Sequence, residues 1–309
     1  MNREIFADLH NHTTASDGDF APETLVAAAK EKGIHALGIT DHDTLGGLRK
    51  ALAAGDAAGV EIVPGVEISV RFKRSFFTGT LHVLTYFSRE RILDDGFCHR
   101  FETLLAGGRG EGLVKARIRK INQIFGPGGE SPILARDLAF EDISAYSDNA
   151  SRRHFALALN ERLGISDKDT ITRIIGNDSP AYLPSGIELS DVGDFVRNEP
   201  VVAVLAHPAA GSFSGEGHYK EVLPPVEIVE RLLPEFLEAG LQGLEVYYPG
   251  HSEVHRELLI QWAKERDLII TGGSDCHDVS ERPPGVSGIS REDFHTLKAA
   301  IAREDMKKK

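Results

Sequence analysis

Two histidines and an aspartate stand within eight residues near the start of the chain, at His10, His12 and Asp17 in "FADLHNHTTASDG". Imidazoles and carboxylates are poor core material. Alternate residues of a strand share a face, so His10 and His12 aim the same way and suit one cation. Similar residues recur in "TDHD" (His42), "GVE" (Glu67), "LHV" (His82), "LAHP" (His207) and "GSDCH" (Asp275 and His277), and Glu245 occupies a comparable place in "LEVYY". Each has a plain explanation alone: His82 as a core residue, "AHP" as a turn, Asp43 as a helix cap. Gathered at one rim without a cation, however, they would concentrate buried polar groups at high cost. Nitrogen and carboxylate donors without thiolate favour zinc, manganese or iron. The candidate ligands exceed the needs of one ion, and Glu67 can bridge two. Two or three divalent ions a few ångströms apart are implied, the arrangement used for hydrolytic displacement at phosphorus. Cys276, between Asp275 and His277, is expected to point away and pack.

The elements that must bring these residues together are short apolar runs alternating with helical patterns. Strands are expected over residues 4–9, 35–40, 60–70, 80–87, 200–208, 240–248 and 268–275. Helices are expected after Pro22 with Gly33 as a stop, over about 44–58, over about 225–239 and over about 252–266. Such alternation implies the α/β class, a parallel sheet with helical crossovers, and a closed or nearly closed barrel of seven strands. In such a barrel the C-terminal strand ends emerge on one face, which is where the candidate ligands lie. Between Cys98 and Asp194 the strand pattern gives way to short helices, notably "LVKARIRKINQIF" and "SRRHFALALNERLG". That is too long for a loop and reads as an inserted helical subdomain. The expected organisation is a first barrel part over 1–98, the insertion over 99–194 and a second barrel part over 195–309.

Composition narrows the function classes. The 309 residues are 41% hydrophobic and 27% charged, ordinary for a globular chain. A net charge of −12 opposes binding along a polyanion, and the terminal "KKK" reads as a frayed solvated tail. Two cysteines, Cys98 and Cys276, exclude a disulfide framework and a thiolate-rich zinc site. No secretory leader and no apolar stretch approaching the ~20 residues of a membrane helix is evident. The expectation is a cytoplasmic protein with no membrane association and no obligate protein partner.

"SRRHF" adds a second kind of site. Ser151 reads as an N-cap, which puts Arg152 and Arg153 in a first helical turn, where cations oppose the helix dipole. They are either a solvated surface pair or the partners of a compact anion, for which phosphate is the natural fit.

In this order, "DLHNHTTASDG", "TDHDT", "PGVEIS", "LHV", "AHP" and "GSDCH" resemble the successive motifs of the PHP (polymerase and histidinol phosphatase) family of metal-dependent phosphoesterases. Within it, "SRRHF" in an inserted subdomain resembles the branch of small nucleotide phosphoesterases and RNase-like relatives that includes the TrpH-type proteins. The resemblance implies a distorted (β/α)7 barrel and a trinuclear site. It assigns His10, His12, Glu67 and Asp275 to one metal, Glu67, His82 and His207 to a second, and Asp17, His42 and His277 to a third. It also makes Arg152 and His154 phosphate contacts. The segment "GPGGESPILARDLAFEDISAYSDNA", residues 126–150, has no counterpart in the pattern. The expected chemistry is attack on phosphorus by a hydroxide bridging two metals, with His207 or a metal-bound water as leaving-group acid. The leading substrate class is a small nucleotide, such as a nucleoside 3′,5′-bisphosphate. The alternatives are a 5′ to 3′ exoribonuclease on short RNA and a non-catalytic metal-binding module, with amide hydrolysis a weaker further class.

Overall fold

Seven strands lie in chain order in one sheet: β1 (Ala7–Asp8), β2 (Ala36–Ile39), β3 (Glu61–Arg74), β4 (Phe77–Tyr86), β5 (Val202–Leu205), β6 (Gly243–Tyr247) and β7 (Ile269–Gly272). The structure is a computed structural model that describes residues 4–108, 110–147, 150–213, 223–280 and 282–307. The sheet curls until its edges meet. Leu9 N donates to Gly272 O at 3.1 Å, and Asn11 bridges Cys276 in parallel, giving the nearly closed α/β barrel that the alternation implies. A Cβ on Gly273 would come within 2.3 Å of His10 N, so this closure needs glycine beside the first ligand.

The sheet is not wholly parallel, which corrects the expectation. β3 pairs antiparallel with β4, and β4 antiparallel with β5, while the other neighbours are parallel. β3 runs on for 14 residues to Arg74, and Arg74 pairs with Phe77 across a turn of Ser75 and Phe76. A hairpin therefore replaces the expected crossover, because a two-residue link is too short for one. His82 consequently reaches the rim from the middle of a reversed strand, opposite Ser69, rather than from a C-terminal strand end.

Helices cover the outside: α1 (Pro22–Glu31), α2 (Leu48–Ala58), α3 (Asp95–Ala106), α4 (Glu111–Phe125), α5 (Phe140–Ser144), α6 (Arg152–Glu161), α7 (Lys168–Ile175), α8 (Leu189–Asn198), α9 (Val226–Glu238), α10 (Glu253–Glu265) and α11 (Arg291–Lys307). Pro22 occupies the first turn of α1, and Gly33 follows its end at φ 75°. α2 begins at Leu48, so Asp43 is not its cap. α11 carries the chain through Lys307, whose Nζ lies 2.8 Å from Glu304 Oε1. The first lysine of "KKK" is thus helical, and the other two lie outside the described residues. Among the described residues no helix is long and apolar enough to cross a membrane.

Period-two alternation divides the core. On β4, Leu81 and Val83 join the main apolar cluster under the helices, while Leu84 and Tyr86 join a second cluster with Val63, Val202, Val204 and α11. His82 shares the inward face of Leu84 and Tyr86, and Glu67 shares that of Val63 two positions below Gly65. The face that is apolar low in the barrel thus turns to ligands at the rim. A third cluster, Val114 to Ala181, is built by α4 to α7 and the segments between and after them, including Leu134, Leu138 and Ala181. α3 and α8 contribute Phe97, Phe101, Val192 and Phe195 to the main cluster instead.

Candidate metal centre

All nine candidate ligands converge at the barrel mouth. Glu67 is the hub. Its Oε2 lies 3.1 Å from both His10 Nε2 and His12 Nε2, and 3.2 Å from His42 Nδ1. Its Oε1 lies 3.0 Å from both His82 Nδ1 and His207 Nε2, which are 3.3 Å apart. Asp275 Oδ1 closes the first group, 3.1 Å from His12 Nε2 and 3.5 Å from His10 Nε2. A further group forms around Asp17, whose Oδ1 lies 3.3 Å from His277 Nε2 and 3.8 Å from His12 Nδ1, with His42 alongside. Three ligand sets result, His10/His12/Glu67/Asp275, His42/Glu67/His82 and His12/Asp17/His42/His277. His207 joins the second through Glu67.

The donor set fits divalent metal ions. His10 Nδ1 donates to Glu245 Oε1 at 3.0 Å, which leaves Nε2 with a lone pair, yet this nitrogen faces His12 Nε2 at 3.2 Å. Two imidazole nitrogens aimed at each other between carboxylates need a shared electrophile, and a cation serves. Among the described residues His12 Nδ1 is buried without a hydrogen-bond partner, 3.8 Å from Asp17 Oδ1.

Without a cation the groups charge one another. Burial disfavours ionising Glu67 and Asp17, yet His42 beside both holds them well below the usual carboxylate range. Burial likewise opposes ionisation of Asp275, and the Arg282 guanidinium overrides it. Burial also opposes protonating His10 and His12. The charges of Glu245 and Glu67 nevertheless hold His10 well above its ordinary value, and hydrogen bonds to Asp275 and Glu67 push His12 up to about 9. The carboxylates therefore stand ionised and ready for cations.

Carboxylates one step back fasten the strand ends. Asp8 accepts from Ser274 N at 2.8 Å and Ser274 Oγ at 2.6 Å, tying β1 to the turn after β7. Asp41 accepts from Thr13 N at 2.7 Å and Thr13 Oγ1 at 2.8 Å, tying β2 to β1. Asp43 accepts from Ser69 N and Ser69 Oγ, both at 2.7 Å, tying β2 to β3. Of the four left-handed non-glycine residues among the described residues, Asp43 (φ 49°), His207 (φ 29°) and Asp275 (φ 50°) lie here, and Asp267 lies in the turn before β7. Non-glycine residues in that region are strained and persist where surroundings over-determine them.

The "SRRHF" turn forms as its residues suggest. Ser151 caps α6, its Oγ accepting from Arg153 N at 3.2 Å, and Ser151 N donates to His154 Nδ1 at 2.9 Å. The two arginines diverge. Arg152 NH2 donates to Asn177 Oδ1 at 2.7 Å and its guanidinium lies over the Tyr182 ring, both in the segment after α7. Arg153 reaches the metal rim, donating to Asp17 O at 2.5 Å and to Asp19 Oδ1 at 2.9 Å. Cys276 packs into the main cluster, and burial pushes its thiol up to about 12.

Sequence reasoning missed two residues. Arg282 is buried against Asp275 Oδ2, and Tyr248 Oη donates to the same oxygen at 3.1 Å. Arg282 gives no signal in "SERPPG", whereas Tyr248 follows the strand end that presents Glu245.

Residues 8–131 match the PHP domain family. The chain is 30% identical over 281 residues to a 3′,5′-nucleoside bisphosphate phosphatase of Chromobacterium violaceum, covering 89% of this chain and 88% of that protein. It is 28% identical over 275 residues to a 5′-3′ exoribonuclease of Haemophilus influenzae, covering 87% and 89% of the two. A solved structure of an amidohydrolase from Chromobacterium violaceum with bound sulfate and no metal superposes with a TM-score of 0.72 at 26% identity, covering 96% of both chains. The match of family, sequence and fold has one consequence: the chain belongs to the PHP family of metal-dependent phosphoesterases.

Proposed function

We propose that this chain hydrolyses phosphate esters of small nucleotides, a nucleoside 3′,5′-bisphosphate being the type substrate. The observation that carries the reading is the set of ligand groups sharing His12, Glu67 and His42, to which the N-terminus of α6 is joined where Arg153 donates to Asp17 O. When bound, two or three divalent ions, with manganese, zinc or iron suiting the donors, would neutralise charge on the phosphoryl oxygens and activate a nucleophile.

The chain's own groups do the rest. Glu67, Asp17 and Asp275 hold ionised carboxylates at fixed positions. His207 Nε2 faces Glu67 Oε1 at 3.0 Å and His82 Nδ1 at 3.3 Å, so its geometry favours ligation over proton delivery to the leaving group. Because His154 Nδ1 accepts from Ser151 N, its ring proton resides on Nε2, the form that donates to a phosphate oxygen. Arg152, steadied by Asn177 and the Tyr182 ring, offers the charge-assisted contact for a second phosphate. The 30% identity to a bisphosphate phosphatase supports this assignment.

Exoribonuclease action on short RNA is the second reading, favoured by the 28% identity to an enzyme of that name and opposed for long chains by the net charge of −12. A panel of phosphate monoesters, nucleoside bisphosphates and 5′-phosphorylated RNA oligomers, assayed with added manganese, decides. The bisphosphates should give the highest kcat/KM. RNA oligomers outcompeting every mononucleotide would install the second reading, and no phosphate release from any of them would overturn both.

A further inference from the structure

Six of the seven strands present a candidate ligand at the mouth, and β6 presents none. Its contribution is Glu245, fully buried and two residues from the end of the strand. Both carboxylate oxygens are committed. Oε1 accepts from His10 Nδ1 at 3.0 Å, and Oε2 accepts from His207 N at 2.7 Å. The first contact keeps the His10 proton on Nδ1, so that Nε2 presents its lone pair to the group containing His12, Glu67 and Asp275. The second holds the backbone of His207 at φ 29°, a conformation that a non-glycine residue keeps only under constraint. One side chain thereby fixes ligands on two different strands.

We propose that Glu245 is the positioning residue of the metal centre, setting the tautomer of His10 and the orientation of His207. The inference rests on the metal-centre reading above. A carboxylate serving only to fill the barrel would need neither a histidine Nδ1 nor a strained backbone N–H as partner. Glutamine keeps the shape of Glu245 but turns an amide N–H₂ towards one of its two donors. The N–H₂ facing His10 would drive that ring's proton to Nε2, where it blocks ligation; facing His207 N, it would release the strained backbone.

The test uses the full chain, stripped with chelator and titrated calorimetrically with Mn²⁺ and with Zn²⁺. Glu245→Gln should weaken binding of at least one ion tenfold or more, as expected for loss of a partner behind a ligand. Glu245→Asp, which keeps the charge but is too short for both contacts, should fall between the variant and the native chain. Half-saturating metal for turnover should rise in step, and excess metal should recover most of kcat. In ¹⁵N spectra of the imidazoles, one Nδ1–H resonance should be lost in Glu245→Gln where the amide N–H₂ faces His10, and kept where it faces His207 N. Native metal affinity and stoichiometry in a folded Glu245→Gln chain would overturn the proposal, as would a loss of turnover that excess metal does not repair. Should Glu245→Gln fail to fold, Glu245→Asp carries the test on the same terms. If the native chain binds neither ion, the metal-centre reading itself falls, a result distinct from failure of the Glu245 assignment.

Discussion

The inner ligands (His10, His12, Glu67, Asp275) and the outer ones (Asp17, His42, His277) are held in different ways. The inner set is almost fully enclosed and braced from behind, His10 by Glu245 and Asp275 by Tyr248 and Arg282. In the outer set the His42 and His277 side chains are 10% and 14% exposed. The Asp17 loop is gripped from outside, where Arg153 of α6 donates to the carbonyl of Asp17. The inner set is therefore braced by the barrel itself, whereas the Asp17 loop of the outer set is held by α6, the helix that we propose binds the second phosphate.

Removing a ligand from each set tests this difference. Glu67 lies within 3.2 Å of five imidazoles, so Glu67→Ala should abolish binding of at least two ions and lower kcat by about 10³ or more, since each ion supplies several kcal/mol. Asp17→Asn should lose about one ion per chain and fall in kcat only about 10- to 100-fold. Elemental analysis and turnover of the two purified variants decide. Equal losses in both would erase the distinction between the sets.

Much of the inner set was legible because its ligands stand in short motifs where strands end, and period-two alternation tells which way they point. The direction of β4 was not. Ser75 and Phe76 lack the Asn-Gly or Asp-Gly signature of a tight hairpin, so the hairpin reads as two separate strands. The braces were hidden for another reason: the partners of Asp8, Arg282 and Tyr248 are set by how distant segments close, which no local pattern encodes. The two arginines, read from the sequence as one pair, part company because of the helix period. Phe155 and Leu159 are buried in the third cluster, and Arg152 lies three residues before Phe155 on that same face, while Arg153 is turned by roughly 100° towards the barrel.

That divergence gives the next test. Arg152→Ala should lower kcat/KM for a nucleoside bisphosphate by about tenfold or more, since a charge-assisted contact is worth ~1.5–3 kcal/mol, and should change an aryl monophosphate little. Arg153→Ala loosens the Asp17 loop and should reduce both substrates alike, by less than tenfold. Steady-state kinetics on the two substrates separate the roles. If Arg152→Ala depresses both equally, it is not the second-phosphate contact.

The smallest effect on turnover is expected at His251, which braces the strand end that carries His207. Its Nε2 accepts from Ala209 N at 3.1 Å, two residues beyond His207, and its Nδ1 donates to Val246 O at 3.0 Å. Both contacts require the neutral ring, and burial lowers its pKa from 6.5 to about 3. The sign follows from the unfolded chain, where the ring takes up a proton below about 6.5 while the folded ring stays neutral until about 3. Stability from this group is thus complete above pH 6.5 and is lost as pH falls towards 3, with a limiting slope of about 1.4 kcal/mol per pH unit. His251→Gln keeps one acceptor and one donor but cannot titrate. In chelator-treated protein, urea unfolding at pH 7.5, 6 and 5 should show the native chain losing stability faster than His251→Gln on acidification, with kcat at pH 7.5 in metal nearly unchanged. Parallel stability curves would mean that His251 is not held neutral by the fold and that the bracing behind His207 ends at Glu245.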